Sequence, residues 1–264
     1  MTFETSLRAL ARLGDADLER DWTWPGKGPA DLRNAFFYIL MEEQAALVVA
    51  ASPTNEADRI LALAQRAFGD LRGLLLAVPD ALLDREPAPR EWSIRKTMEH
   101  TIGVERSYRA NTQYALLRED GEPLTLPADR RPKPDPADTE GDALAIALAL
   151  ARRRAETDAA LANTPADDLA RASQWAAVKE PFNVDVRFRL HRFGAHLVEH
   201  KQQVEKTLRA LGQTETDAQA YIRQISIIRS RHERRSTEGV RQRLDDAIAA
   251  VAEASTEARW DRRS

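Results

Sequence analysis

The chain has 264 residues, 39 of them Lys or Arg and 42 Asp or Glu, for a formal net charge of −3 and a pI near 6.0. The absence of cysteine excludes disulfides, cysteine-ligated zinc, iron–sulfur clusters and a thiol nucleophile supplied by the protein itself. The nearly balanced charge argues against a surface built to bind nucleic acid, and the length is sufficient for a core that needs no covalent staple.

Neither a membrane span nor a secretory leader is predicted. The longest apolar stretches, 45–51 and 143–151, are far shorter than the roughly 20 residues that cross a bilayer. The first residues lack a basic segment followed by an apolar one. We therefore expect a cytoplasmic protein with neither a membrane nor a nucleic acid as partner.

Apolar residues recur at spacings of three and four, which is typical of helices and not of strands. The sequence therefore predicts an all-α protein with no confident strand. Proline and glycine mark most of the boundaries, because proline cannot continue a helix and disfavours helical backbone in the residue before it. The predicted helices lie at about 4–13, 31–51, 55–77, 93–118, 139–163, 183–211, 216–231 and 238–257.

Three segments between these helices are predicted to be irregular. The first is a turn at 22–29, rich in proline and glycine. The second, residues 119–138, carries five prolines and is long enough to cross over between helices that are not neighbours. The third is a loop that holds Trp175 and Pro181.

The histidines carry the strongest chemical signal. His196 and His200 are four residues apart, a spacing that places both imidazoles on one face of a helix, where they can share a metal ion. Five scattered histidines give such a pair by chance roughly one time in ten, so the pair alone is weak. His100 strengthens it, because it is expected to face inward from a different helix. Three neutral imidazoles would leave a ligand position open, as in catalytic metal sites.

Other polar residues are candidates for supporting roles. Gln203 lies one turn beyond His200 and is a candidate to hold a water or substrate, while Glu199 and Glu105 are candidate carboxylates that orient a histidine. His191 points to another side of its helix and is expected at the surface. His232 lies in a charged stretch and is expected to be solvated.

Two segments resemble the signatures of a known family. Trp92-Ser-Ile-Arg-Lys-Thr-Met-Glu-His100 is similar to the W-S-x-R-x-x-x-x-H signature of the DinB/YfiT-like metal-binding superfamily. His196-Leu-Val-Glu-His200-Lys-Gln-Gln-Val-Glu is similar to its second signature, H-x-x-E-H-x-x-Q-V-E. The resemblance implies an up-down four-helix bundle over 55–212, with a long crossover between its second and third helices. Residues 1–54, which contain a weak helix-pair repeat, and 213–264 would then be helical extensions.

The resemblance also implies a cofactor and two possible functions. The three histidines at the matching positions would bind a divalent metal, zinc or nickel. Members of the family include thiol-dependent S-transferases and a mycothiol-dependent maleylpyruvate isomerase. The first hypothesis is a transferase or hydrolase in which the metal activates a low-molecular-weight thiol or water against a small electrophile. The second is a non-catalytic metal-binding stress-response or interaction protein, a homodimer formed through the extensions.

Several large or charged side chains have two possible roles. Trp92 is expected to pack the start of its helix, with lining a pocket as the alternative. Tyr108, Trp175 and Phe182 are expected in the core, again with a pocket as the alternative. Arg95 is either a surface charge or the partner of a buried carboxylate. The arginines near the C terminus are expected to form a solvated helix face, and they are Arg223, Arg229, Arg231, Arg234, Arg235, Arg241 and Arg243.

Overall fold

Eight α-helices and two short β-hairpins make up the part of the chain that the structure describes. The structure is a computed structural model, and it describes residues 1–24, 28–176 and 178–260. The helices are α1 (Phe3–Leu10), α2 (Leu32–Val49), α3 (Glu56–Ala77), α4 (Ile94–Leu117), α5 (Ala143–Leu161), α6 (Val186–Ala210), α7 (Asp217–His232) and α8 (Glu238–Trp260). The strands are β1 (Asp21–Trp24), β2 (Gly28–Asp31), β3 (Ala172–Trp175) and β4 (Phe182–Asp185). The predicted all-α class is confirmed, with boundaries that differ by a few residues.

Helices α3, α4, α5 and α6 form a four-helix bundle. Helix α3 packs against α5 and α6, and α4 packs against the same two helices from the other side. Leu61 and Leu71 of α3, Met98 of α4, Leu150 of α5 and Phe193 of α6 are buried in the resulting core. The connection between α4 and α5 is the long irregular segment that the prolines predicted.

An aspartate anchors this crossover to the bundle. Asp138 is buried near the end of the crossover, and its carboxylate accepts hydrogen bonds of 3.0 Å from Nη2 of Arg152 and Nε of Arg153. Hydrogen bonds between charged groups are stronger than those between neutral ones. The irregular chain is therefore attached to α5 through charge as well as packing.

Strands are present at two places where the sequence predicted none with confidence. Strand β1 pairs antiparallel with β2, and β3 pairs antiparallel with β4. Ladders of four residues are too short to show the alternation by which strands are recognised. Each hairpin leads directly into a long helix, which is capped by Asp31 or Asp185 accepting from a backbone N–H of the first turn. The predicted turn at 22–29 includes residues 25–27, which lie outside the described residues.

The prediction that His232 is solvated was also wrong. It is fully buried, and its Nε2 lies 2.7 Å from Oε2 of Glu43 while its Nδ1 lies 2.8 Å from Oγ of Ser236. Helix α7 packs on α2, which carries Glu43 on its otherwise apolar inner face. A carboxylate in such a face needs a buried partner, and His232 is one.

Of the seven C-terminal arginines expected on a solvated face, only Arg231 and Arg243 are exposed, and the other five are buried or half-buried. Arg229 is buried and donates to both carboxylate oxygens of Glu43 at 2.9–3.1 Å. Arg223 pairs with Asp70, and Arg234 and Arg235 pair with Asp58. The cause is tertiary: α7 and the turn after it pack on α2, which supplies Glu43, and on α3, which supplies Asp58 and Asp70.

Helix α7 approaches α3 very closely. A Cβ atom added at Gly69 of α3 would lie 2.6 Å from the carbonyl oxygen of Ser226 and 2.9 Å from Cα of Ile227. Only a residue without a side chain permits this contact. The bundle and the C-terminal helices therefore share one closely packed interface, although the division of the chain at 54/55 and 212/213 stays a prediction. None of the described helices is long and apolar enough to cross a membrane.

The close approach predicts a marked difference between two glycine substitutions. Gly69→Ala should lower the free energy of unfolding by on the order of 1–3 kcal/mol, because α7 must move away from α3. Gly103→Ala in α4 is the matched control, since an added Cβ there meets nothing within 4 Å. It should raise stability by about 0.5–1 kcal/mol through its helix propensity. Urea denaturation of both variants checks this, and equal effects would contradict the packing described.

Candidate metal centre

Helices α4 and α6 bring the three histidines together. Ser93 caps α4, accepting from the backbone N–H of Lys96 at 3.2 Å, and His100 follows two turns later. Helix α6 is oriented by its contact with α3, where a Cβ added at Gly194 would lie 3.4 Å from Cα of Ala64. At 100° per residue, His196 and His200 then point away from α3, toward α4.

The nitrogen atoms of these side chains converge on one point. The Nε2 atoms of His196 and His200 are 2.8 Å apart, and those of His196 and His100 are 3.4 Å apart. One ligand nitrogen from each of the three residues lies within 4.8 Å of the others. His196 and His200 are buried, while His100 is half-buried. The structure thus brings together the three histidines that the sequence singled out.

Gln203 determines which nitrogen of His200 faces the cluster. Its Oε1 lies 3.0 Å from Nδ1 of His200. An amide oxygen accepts, so Nδ1 of His200 carries the hydrogen and Nε2 keeps its lone pair. Gln203 therefore contacts a histidine and also lines the cavity, and its predicted contact with a water or substrate stays a prediction.

The surroundings favour neutral imidazoles. Burial, with smaller contributions from the neighbouring His200 and His100, lowers the pKa of His196 to about 3. Burial likewise lowers the pKa of His100, and repulsion from His200 adds to the effect. Neutral imidazole is the form that binds metal ions.

The donor set fits a divalent metal. Nitrogen ligands at 2.0–2.1 Å from a tetrahedral ion are about 3.3 Å apart, which is close to the 3.4 Å between His100 and His196 and longer than the 2.8 Å between His196 and His200. A cation bound among the three imidazoles would accept one nitrogen lone pair from each of them. No carboxylate joins the three in the described residues, so the ligand set is neutral.

The histidines line an open cavity of about 670 Å³ with aromatic walls. The ring centroid of Trp92 lies 5.2 Å from that of His100, and the Trp92 residue is 40% exposed, so it lines the cavity rather than packing the helix start. Tyr108 and Trp175 also line the cavity, with their ring centroids 5.2 Å apart. Phe182, expected in the core with them, is exposed at the hairpin. These aromatic side chains restrict the access of water to the histidines.

Two arginines stand behind the aromatic wall. Arg189 is only 4% exposed, and its guanidinium donates to Oγ of Ser173 and the carbonyl oxygen of Gln174, both at 2.6 Å. Burial lowers the pKa of Arg189 to about 10. The guanidinium of Arg192 lies 5.2 Å from the Trp175 ring centroid and interacts with the hydroxyl of Tyr108. This side of the cavity is therefore cationic.

The carboxylate candidates differ in position. Glu199 is exposed and lines the cavity, where its charge acts on His100. Glu105 is buried elsewhere and accepts a hydrogen bond of 2.8 Å from Nη1 of Arg154, so it does not orient a histidine. Burial raises the pKa of Glu105. His191 is exposed and stands apart from the cluster, as expected.

Arg95 holds the start of α4 in place. It donates to the exposed carboxylate of Asp84 and to the carbonyl oxygens of Thr139 and Gly141. It therefore belongs to neither of the two classes considered for it. Its contacts connect the first signature to the end of the crossover.

The sequence analysis missed Arg192 as a cavity residue. Arg192, His196, His200 and Gln203 follow one another at spacings of four, four and three, and all four line the cavity. This spacing is the stripe of one helix face. Extending the stripe by one turn before His196 would have found the arginine.

The fold and the histidine cluster define a class of protein: a four-helix bundle with a three-histidine, metal-competent centre. The profile of the DinB superfamily matches residues 63–204, more than half of the chain. The chain belongs to the DinB superfamily.

Comparison with solved structures finds similarity to YfiT from Bacillus subtilis. That protein is described as a probable metal-dependent hydrolase with an unusual four-helix bundle topology. The two chains are 16% identical, the similarity covers 62% of this chain and 95% of that one, and the TM-score is 0.48. Among curated proteins, none matches the chain.

The lowered histidine pKa values predict a pH dependence of stability in the metal-free protein. An unfolded histidine binds a proton below about pH 6.5, whereas folded His196 resists protonation until about pH 3. The unfolded state therefore binds more protons in this window, and stability falls as the pH is lowered through it. After chelation, the melting temperature should fall between pH 7 and pH 5, and less so in His196→Gln.

His191→Gln is the matched control, because His191 lies exposed on the same helix. It should keep the pH dependence of the wild type. Equal pH slopes for the wild type and His196→Gln would show that the buried imidazole does not resist protonation.

Proposed function

We propose that His100, His196 and His200 bind a divalent metal, zinc or nickel, and that the protein is a metal-dependent enzyme. In this proposal a low-molecular-weight thiol or water attacks a small electrophilic substrate in the cavity. The observation that carries the proposal is the convergence of three imidazoles beside an open cavity, with no fourth protein ligand among the described residues. A ligand position left open to a cavity is the property of a catalytic metal site.

The metal would lower the pKa of the water or thiol that binds to it, so that a nucleophile is available near neutral pH. A thiol has to come from a cosubstrate, because the chain has no cysteine. Imidazole ligands suit zinc and nickel alike, so both metals remain in the proposal. The cytoplasmic location expected from the composition also stays a prediction.

The residues of the chain have separate tasks in this scheme. Gln203 keeps the lone pair of His200 directed at the cluster. Trp92 and Tyr108 contact His100 and His196 through their rings and exclude water from one side. Glu199, at the cavity edge, is placed to accept a proton from an incoming nucleophile.

The test is metal content and its dependence on each ligand. The purified protein should carry about one zinc or nickel ion per chain by elemental analysis. His100→Ala should lower the metal affinity by at least about 100-fold, and Gln203→Ala by about 10–100-fold because a histidine loses its orienting partner. His191→Ala should bind metal as the wild type does. Full metal binding by His100→Ala would refute the assignment.

Turnover is tested by a screen. The zinc- and nickel-loaded protein is incubated with common bacterial thiols, or water alone, and a chromogenic electrophile. Turnover that requires the metal supports the proposal that the protein is a metal-dependent enzyme. If the metal-loaded protein shows no turnover with any compound of the screen, the second candidate function below is favoured.

The second candidate is a metal-binding protein without turnover that dimerises through its extension helices. The observation that favours it is an exposed apolar face on α2. Phe37 and Met41 are each 47% exposed and Val48 is 84% exposed, and the three lie on one side of the helix. Exposed apolar side chains grouped on one face mark interaction surfaces.

A charge substitution on this face tests dimerisation. The wild type should be a dimer by light scattering, and Phe37→Lys combined with Met41→Lys should be a monomer that retains its metal. Leu117→Lys is the control, because Leu117 is exposed at the end of α4 and away from this face. A monomeric wild type would remove the support for this candidate.

A further inference from the structure

The buried arginines of this protein are almost all neutralised. Of the five that are buried among the described residues, four pair with carboxylates: Arg8 with Asp80, Arg72 with Glu4 and Glu233, Arg154 with Glu105 and Asp158, and Arg229 with Glu43 and Asp245. Arg189 is the exception, since no carboxylate of the described residues lies within 4.0 Å of it. Its hydrogen bonds go to Ser173 and Gln174, neither of which carries a charge. A buried charge is costly unless it is paired.

Arg192 lies beside Arg189 on α6 and has no acidic partner in the described chain either. Its Nε–H is buried and makes no hydrogen bond to any described residue. The guanidinium packs over Trp175, at 5.2 Å from the ring centroid, and lies beside the hydroxyl of Tyr108. Arg192 thus combines an unused donor with a partly dehydrated position in the cavity wall.

The other charges of the cavity do not compensate this pair. Lys206 is already paired with Glu91 at 3.3 Å. Glu199 is exposed, forms no ion pair with either arginine, and lies two helical turns from Arg192. The excess positive charge is therefore local to the wall formed by Arg192, Tyr108 and Trp175, with Arg189 buried behind it.

This wall is adjacent to the histidines. Arg192 precedes His196 by four residues and so lies on the same face, about 6 Å away along the helix axis. The Tyr108 ring centroid is 5.4 Å from that of His196. A ligand held by Arg192 would place a group a few bonds away next to the three imidazoles.

We propose that Arg192, supported by Tyr108 and by the charge of Arg189, binds the carboxylate of a small organic acid whose reactive group lies at the histidine cluster. The planar guanidinium can donate two parallel hydrogen bonds to a carboxylate, and the aromatic wall lowers the local dielectric and strengthens them. The placement of the reactive group depends on the proposed metal function, whereas the carboxylate subsite does not. The acid is either the substrate or the thiol cosubstrate.

The experiment compares two thiols on the zinc-loaded protein by isothermal titration calorimetry. The probes are 3-mercaptopropionate, which carries a carboxylate, and 2-mercaptoethanol, which does not. We expect the wild type to favour the acid by about tenfold, which corresponds to roughly 1.4 kcal/mol. Arg192→Gln should remove this preference while its affinity for 2-mercaptoethanol stays unchanged. Comparing ratios across variants cancels the intrinsic difference between the thiols.

Lys206→Gln is the matched control, because it also removes one positive charge from the cavity, but a charge that already has a partner. It should keep the preference of the wild type, and Arg192→Lys should keep part of it. Circular dichroism and zinc content establish that each variant is folded and loaded. A preference that is absent in the wild type, or equal in Arg192→Gln and the wild type, would overturn the subsite and leave the metal function standing.

Failure of the proposed metal function can be distinguished from failure of the carboxylate subsite. If the protein binds no metal, propionate replaces the thiols as the probe, since its binding requires only the arginine. Binding to the wild type that is lost in Arg192→Gln would support the carboxylate subsite without a metal. Absence of binding to the wild type would overturn it. The source of the acid follows from the turnover screen: if thiols that carry a carboxylate are preferred, it is the cosubstrate, and if acidic electrophiles are preferred, it is the substrate.

Discussion

The contact between α6 and α3 at Gly194 and Ala64 is the constraint on which the site depends. A Cβ added at Gly194 would be in van der Waals contact with Ala64, so the two helices pack closely here, and this contact orients α6 about its own axis. The stripe that carries Arg192, His196 and His200 is then turned toward α4 and the cavity. A modest rotation of α6 would separate the imidazoles, because their nitrogen atoms lie at the ends of side chains several ångströms from the helix axis. The site is therefore a consequence of backbone packing on the opposite side of one helix.

Buried charge is used in two different ways in this molecule. Around Glu43, the guanidinium of Arg229 and the imidazole of His232 are enclosed and make hydrogen bonds to the carboxylate, and they connect α2 to α7. Removing one partner of such a cluster leaves an uncompensated charge, which makes the arrangement specific even where it adds little stability. Arg189 and Arg192 have no such acids among the described residues. The other buried arginines are neutralised, whereas Arg192 lines the cavity without an acidic partner and Arg189 adds its positive charge from behind the wall.

The centre and the cationic wall together describe one kind of ligand. Neutral imidazoles leave the full charge of a divalent ion uncompensated by the protein, and the adjacent arginine adds to the positive potential. An anion gains from both, and the aromatic rings strengthen the attraction by excluding water. A thiolate or water-derived nucleophile at the histidines and a carboxylate at Arg192 would both be favoured by the same field. The proposed chemistry and the proposed specificity thus have one electrostatic origin.

The sequence by itself determined the helices, the crossover and the three histidines, because these depend on local properties: apolar spacing, proline positions and a signature in which His100 follows Trp92 at a fixed distance. It could not determine what depends on which helix lies beside which. His232 and Arg229 stand in a charged stretch that is typical of a solvated helix, and only the packing of α7 on α2 places them beside Glu43 in the interior. The two hairpins are ladders of four residues, too short for a pattern. Whether Arg192 is neutralised depends on which acidic side chains lie near it in the fold. No acid of the described residues pairs with it, and the order of residues alone could not show this.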